Sequence, residues 1–301
     1  MDKICLYIIG NGFDLAHGMQ TRYGDFKKWL IDNGRIDVIQ ELQSAYPSQK
    51  GTDYLLWSDF ERALGEYDLD TVINWSWENL YLTVDSVGNM LFNNGFIDTQ
   101  LPDIISEAFT KWVRSIKIPF QKVYDNISTE SLYLTFNYTD TLETLYQIPE
   151  WKVLHIHGRA SKGEKLIVGH NHHINPADYW DDKIDLRENN ERMQRLTDMN
   201  DLCKPYYDII ERNEIFFQLM NSISDIYVIG HSCDEIDYPY FRKVRESVKS
   251  NAMWHFNPYS EDDERRIEVL KQKLGIESIG KDDGGRTGVT MFAIGKVTTE
   301  R

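Results

Sequence analysis

The run Ile4-Cys-Leu-Tyr-Ile-Ile9, broken at once by Gly10-Asn11-Gly12, constrains this chain more than any other stretch. It is too short for a helix and shows no polar alternation, which marks a strand covered on both faces, as in parallel sheets. Such a strand needs helices on either side, so the chain is expected to be an α/β protein. The two glycines let the backbone turn sharply and approach a ligand closely. A helix beginning there would aim its free N–H groups at a phosphate. The pattern G-x-G-x-x-G is incomplete, because Leu15 stands where the third glycine would be.

Beyond Gly18 strand character disappears for about a hundred residues, and apolar positions recur at helical spacing, as in Phe26, Trp29 and Leu30 and again in Phe109, Trp112, Val113 and Ile116. Ser58-Asp-Phe-Glu61 reads as a capping box, which makes Glu61 a first-turn charge. Further strands are expected at Ser131–Phe136, Lys152–Ile156, Lys165–Val168, Ile226–Ile229 and Ala252–Phe256, and a closing strand at Gly288–Val297. The polar run Asp178–Asp201 reads as a solvated surface helix or mobile lid. These segments make one α/β domain over 1–301, with a helical insertion at about 20–128 and a polar helical insertion at about 174–222.

With 33 Lys and Arg against 48 Asp and Glu, the net charge of −15 repels polyphosphate backbones, so nucleic acid is not an expected partner. The three cysteines are far apart and form no C-x-x-C pair, which fits a reducing cytoplasm. Neither a signal-peptide pattern nor an apolar run of transmembrane length is seen, so no membrane association is expected.

Several of the expected strands stop at a glycine or a short polar signature: Gly10-Asn11-Gly12, Asn137-Tyr-Thr-Asp140, His157-Gly158 and Gly230-His-Ser232. Polar residues gathered at the carboxyl ends of parallel strands occupy the ligand-binding edge of open α/β sheets. On alternation, His155 and His157 share one face of their strand.

Ile8-Ile-Gly-Asn-Gly-Phe-Asp-Leu15, Thr135-Phe-Asn-Tyr-Thr-Asp140, His155-Ile-His-Gly158 and Gly230-His-Ser232 follow the order seen in AbiH-type bacteriophage abortive infection proteins, which the chain resembles over most of its length. More distantly, the order resembles the SIR2-like domains of bacterial antiphage systems, in which such segments form an NAD pocket. That resemblance implies a Rossmann-like (SIR2-like), mostly parallel sheet with large helical insertions. It further implies a cytoplasmic antiphage protein that binds NAD and hydrolyses it to ADP-ribose and nicotinamide. Gly10 and Gly12 would then lie against the phosphates, Asn137 would hold the nicotinamide ribose, and His157 would be the base. Gly230 and Ser232 would touch the far side of the dinucleotide, and Asn257 the adenosine, with Asn11, Asp14, Asp140, Gly158 and His231 in the same pocket. Such an enzyme would need restraint, which the insertion from Tyr23 to Ile118 or the polar run near Asp178 could supply, with a phage-derived activator or self-association as its partners. Where the SIR2-like pattern has Asp directly after Tyr, this chain has Thr139, with Asp140 one place later.

Cleavage of the nicotinamide glycosidic bond passes through an oxocarbenium-like state and requires no metal. An amide can orient the ribose or the water, and a histidine can take the proton. Three other readings stay open. Gly230-His-Ser-Cys-Asp resembles a nucleophile elbow, with His255 following in the right order. His155, His157, His170, His172 and His173 could ligate a metal. A non-catalytic nucleotide sensor is the third.

Overall fold

The computed structural model describes residues 4–45, 56–65, 101–125 and 127–276. Five parallel strands, β1 (Leu6–Ile9), β2 (Leu132–Thr135), β3 (Val153–His155), β4 (Asp225–Ile229) and β5 (Met253–Asn257), form one sheet in the order β3-β2-β1-β4-β5. The chain builds outward from β1 in one direction through β2 and β3, then crosses to the other side for β4 and β5. The topological switch point, where open α/β sheets place their ligands, therefore lies between β1 and β4.

The helices among the described residues are α1 (Asn11–Ala16), α2 (Tyr23–Asp32), α3 (Ile36–Ala45), α4 (Phe60–Gly65), α5 (Leu101–Ser115) and α6 (Thr141–Tyr146). They continue with α7 (Leu186–Asp201), α8 (Tyr206–Arg212), α9 (Glu214–Gln218), α10 (Tyr238–Ser247) and α11 (Glu261–Leu274). None of the described helices is long and apolar enough to cross a membrane.

Every residue of β1 is buried, as a strand paired on both edges and covered on both faces should be. Register then aligns side chains across the sheet. Tyr7 pairs with Tyr133 and Tyr227, and Tyr227 with His255. Their rings stack in a row, 5.0 Å from Tyr7 to Tyr133, 5.3 Å from Tyr7 to Tyr227 and 4.5 Å from Tyr227 to His255.

The chain divides into two compact units, one from Met1–Thr21, Val113–Leu166 and Pro205–Arg301, the other from Arg22–Trp112 and Ile167–Lys204. The sequence reading draws its two insertions at about 20–128 and 174–222, so α8 and α9 fall in the first unit. That unit holds the whole sheet and a cluster in which Phe13 stacks on Tyr124 at 5.0 Å. His17 completes this cluster. Tyr146 Oη accepts from the Val123 and Tyr124 amides, so its own proton goes to His17 Nε2 at 2.8 Å, while His17 Nδ1–H donates to the Phe13 carbonyl at 2.7 Å. Burial pushes the His17 pKa down, in keeping with this neutral ring.

The second unit is built on α2, α4 and α5. Phe26 is fully buried and meets Phe109 at 5.4 Å and Trp112 at 5.1 Å, the core that the helical spacing of these residues predicts.

Three sequence expectations need correction or fall elsewhere. Lys165–Val168 is not a strand; the only ladder contact nearby is an isolated bridge between His170 and Cys203, and Leu166 and Val168 are buried without one. The run ending at Asp201 does form a helix, but it is solvated on one face alone, because α7 buries Asn189, Arg192, Arg195, Leu196, Asp198 and Met199. Polar side chains on the buried face are met internally: the Asn189 amide bonds both backbone groups of Asp181, and Gln194 donates to Asp198. The strand expected at Gly288–Val297 lies outside the described residues.

Candidate functional site

At the switch point the two glycine turns interlock. The Gly12 amide donates to the Gly230 carbonyl at 2.7 Å, Gly10 to Ile229 at 3.0 Å and Phe13 to Gly10 at 3.0 Å. A Cβ on Gly10 would stand 2.5 Å from His231 Cα, and one on Gly230, whose φ is +65°, would stand 2.3 Å from the Phe13 nitrogen. The glycines are thus required by backbone contact between the ends of β1 and β4. This turn brings the chain close to a ligand edge, but its amides at 10, 12 and 13 are committed to carbonyls. Asn11 is exposed at the rim, its Nδ2 bonded to the Thr21 carbonyl at 2.9 Å.

Beside it, Asn137 follows the end of β2 and is 7% exposed. Its amide N–H donates to Thr135 Oγ1 at 3.1 Å, and its carbonyl accepts from His155 Nδ1–H at 2.9 Å. The side-chain Nδ2 lies near enough to Asp14 to favour that carboxylate, yet completes no hydrogen bond among the described residues. Asp14 is 1% exposed, and its oxygens accept from Thr139 Oγ1 at 2.5 Å and Thr141 Oγ1 at 2.8 Å. Burial pushes its pKa up, against the pull of these hydroxyls.

The residue inserted after Tyr138 now has a role. Thr139 turns to Asp14, whereas Asp140 turns away to Arg159 Nε at 2.6 Å. Asp140 is the N-cap of α6 but makes no capping bond with its side chain. Arg159 also reaches Glu150 at 3.2 Å and Glu143 at 3.5 Å.

His155 and His157 do not share one environment, because β3 ends at His155 and the chain turns before His157. His155 Nε2 meets Glu143 Oε1 at 2.8 Å. Asp140, Glu143 and His155 offer ligand atoms within 4.8 Å of one another, the one such group among the described residues. Arg159 already supplies the cation in this cluster. The other histidines do not join it. His170 is buried in the second unit, its Nε2–H donating to the Met199 carbonyl at 3.1 Å and its Nδ1 accepting from the His172 amide at 3.1 Å. His172 bonds the Gly65 carbonyl, and His173 is exposed.

His157 is 3% exposed and stands with its Nε2 3.9 Å from Asp237 Oδ1. His231 Nε2 is 3.4 Å from the other oxygen of the same carboxylate. Aromatic rings wall the group: Phe136 lies 4.2 Å from His231 and 5.4 Å from His157, and Tyr240 lies 5.5 Å from His157. Gly158, at φ +88°, lets the chain after His157 pass against the Lys165 carbonyl.

Ser232 sits exposed past the end of β4, and Asn257 is the exposed last residue of β5. No elbow forms at Ser232: the left-handed residues of this turn are Gly230 and Cys233, and Asp234 caps a short 3-10 helix instead. His255 pairs with Tyr227 in the body of the sheet and reaches Asp225 Oδ1 at 3.4 Å, at the opposite end of β4 from Ser232.

The profile of the family described as Bacteriophage abortive infection AbiH matches residues 6–258, more than four fifths of the chain. The chain belongs to the AbiH family. The matched span runs from the first residue of β1 to just past the end of β5, so the AbiH match takes in the entire sheet. Neither a curated protein nor a solved structure matches this AbiH-family chain.

Sequence reasoning had not assigned Asp237, Thr141, Glu143 or Arg159 to the site. Thr141 had a signal, since Thr139-x-Thr141 begins two residues after Asn137 at a strand end. Asp237 had less, six residues after His231 across a turn whose form depends on Cys233 and Asp234.

Proposed function

We propose that this AbiH-family chain acts in abortive infection as a nucleotide-dependent enzyme that binds NAD and hydrolyses it to ADP-ribose and nicotinamide. The observation that carries the reading is Asn137: a buried amide at the carboxyl edge of a parallel sheet whose Nδ2 has no hydrogen-bond acceptor among the described residues. An open buried donor costs about 1–3 kcal/mol, a cost that a ribose hydroxyl at this position would remove.

In the reaction the bond from the ribose carbon to nicotinamide breaks, and its electron pair returns to the positively charged ring nitrogen. Water adds to the ribose carbon, and His157 takes the proton that water loses. Asn137 orients the ribose without adding charge. The glycine turn contributes close approach rather than amide donors, because Gly10 and Gly12 are bonded to the end of β4. A phage-derived activator or self-association would release the activity on infection.

A nucleotide sensor without turnover is the second reading, supported by the 3.9 Å between His157 and Asp237, beyond hydrogen-bond distance. Nicotinamide release from NAD by the purified protein, alone and with lysate from phage-infected cells, distinguishes the two. Release that falls at least about 100-fold in both Asn137→Ala and His157→Ala supports the enzyme. NAD binding without release under either condition establishes the sensor, and the absence of both release and binding overturns the NAD reading.

A further inference from the structure

Asp237 stands between the side chains of His157 and His231, and a backbone hydrogen bond sets which nitrogen of His231 faces it. The Cys233 amide N–H donates to His231 Nδ1 at 2.9 Å. That bond occupies the Nδ1 lone pair, so the neutral His231 ring carries its proton on Nε2, the atom that faces Asp237 Oδ2 at 3.4 Å. Cys233 adopts φ +55°, a conformation rare outside glycine, and in this conformation its amide is aimed at the ring two residues earlier. His231 is thereby held as a donor to one oxygen of Asp237.

The other oxygen, Oδ1, lies 3.9 Å from His157 Nε2. At that distance the contact is one of charge rather than a hydrogen bond. Asp237 is 8% exposed and His157 3%, with Phe136 and Tyr240 packed against His157, so little water screens the pair.

We infer that Asp237 is a positioning residue for His157: its carboxylate, fixed by a tautomer-locked His231, stabilises the positive charge that His157 acquires on accepting a proton. The inference rests on His157 being the base of the proposed reaction. Catalysis gains because the counter-charge is in place before the proton moves and nothing reorganises during the step.

The test is 15N histidine spectroscopy of the nucleotide-free full chain at one fixed pH, beside steady-state NAD hydrolysis. Asp237→Asn keeps the size of the side chain and removes its charge. The expected result is that the His157 nitrogen resonances move while His231 keeps its Nε2–H tautomer. In hydrolysis kcat should drop at least about tenfold with KM little changed. Asp237→Glu should restore part of both. Unmoved His157 resonances in a folded Asp237→Asn protein overturn the inference whatever the activity does. Moved resonances in a protein that releases no nicotinamide from NAD, even with lysate from phage-infected cells, leave the coupling of Asp237 to His157 standing and overturn the proposed reaction instead. Should Asp237→Asn fail to fold, His231→Gln offers the same readout, since its amide can still accept from Cys233 and donate to Asp237. Wild-type His157 resonances in His231→Ala beside shifted ones in a folded Asp237→Glu would show that His231 has no part.

Discussion

The second unit and the carboxyl edge of the sheet both bury histidine, carboxylate and amide side chains, but they treat them differently. In the second unit His170 uses both ring nitrogens on backbone groups, Asn189 bonds both backbone groups of Asp181, and Lys204 meets Glu61 at 2.9 Å. Arg192 is a partial exception there, with one nitrogen on the Tyr179 carbonyl and Nε without a hydrogen bond among the described residues. At the sheet edge, Asn137 Nδ2 completes no hydrogen bond among the described residues, and the buried Asp14 has two threonine hydroxyls as its bonded partners. Polar groups that close on each other hold a fold together. Polar groups left open next to a sheet edge are where a ligand can complete the pattern.

The largest expected effect tests the closed side of that contrast. The Lys204 side chain is 0% exposed and its ammonium pairs with Glu61, so removing Glu61 takes a carboxylate partner from a buried charge. Glu61→Ala should destabilise the protein by about 3–5 kcal/mol in urea denaturation, and Glu61→Gln by less, since an amide can still accept. A loss under about 1 kcal/mol would show that the pair is solvated and that the second unit does not depend on its polar contacts. Sequence reading made Glu61 a first-turn charge because its partner lies 143 residues away.

Next in size is the response to acid. Burial pushes the His170 pKa down from 6.5 to about 4. The folded state thus binds this proton less tightly than the unfolded state, and stability present above pH 6.5 is lost as pH falls toward 4. The full loss is about 3 kcal/mol. His170→Gln should flatten that window of the pH–stability curve. An unchanged slope between pH 6.5 and 4 would mean that His170 is open to solvent, and the contrast between the two regions would blur.

How far the sequence spoke depended on how local the determinants were. β1 and β4 were legible because an unbroken apolar run followed by glycine has few other readings, and the parallel sheet followed from them. Lys165–Val168 has the same apolar character but no neighbour to pair with, and propensity alone does not supply one. At the site, Asn137 and His157 stood out as polar residues at strand ends. The partners of each did not, because Asp14 meets Thr139 and Thr141 only once β1 lies beside β2, and Asp237 meets His231 only through a turn held by Cys233. Alternation failed at His157 because a strand of three residues ends before the rule reaches it.

The smallest effect expected carries the opposite sign and tests the open side. Asp14 is a carboxylate kept from water, with burial raising its pKa more than Thr139, Thr141 and Asn137 lower it. A raised pKa means that the folded state holds this proton more tightly than the unfolded one. The stability it brings is complete below the unfolded value and is lost as pH rises through the folded one, so at neutral pH an ionised Asp14 opposes folding. Asp14→Asn keeps the shape and one acceptor oxygen, and the threonine hydroxyls can rotate to accept from the new amide. It should therefore leave stability at pH 7 unchanged or raise it by about 1 kcal/mol, and remove the decline with pH. A loss of that size instead would show that the charge is needed in the folded protein itself. In that case Asp14 belongs with the closed contacts of the second unit, and the contrast rests on the open donor of Asn137.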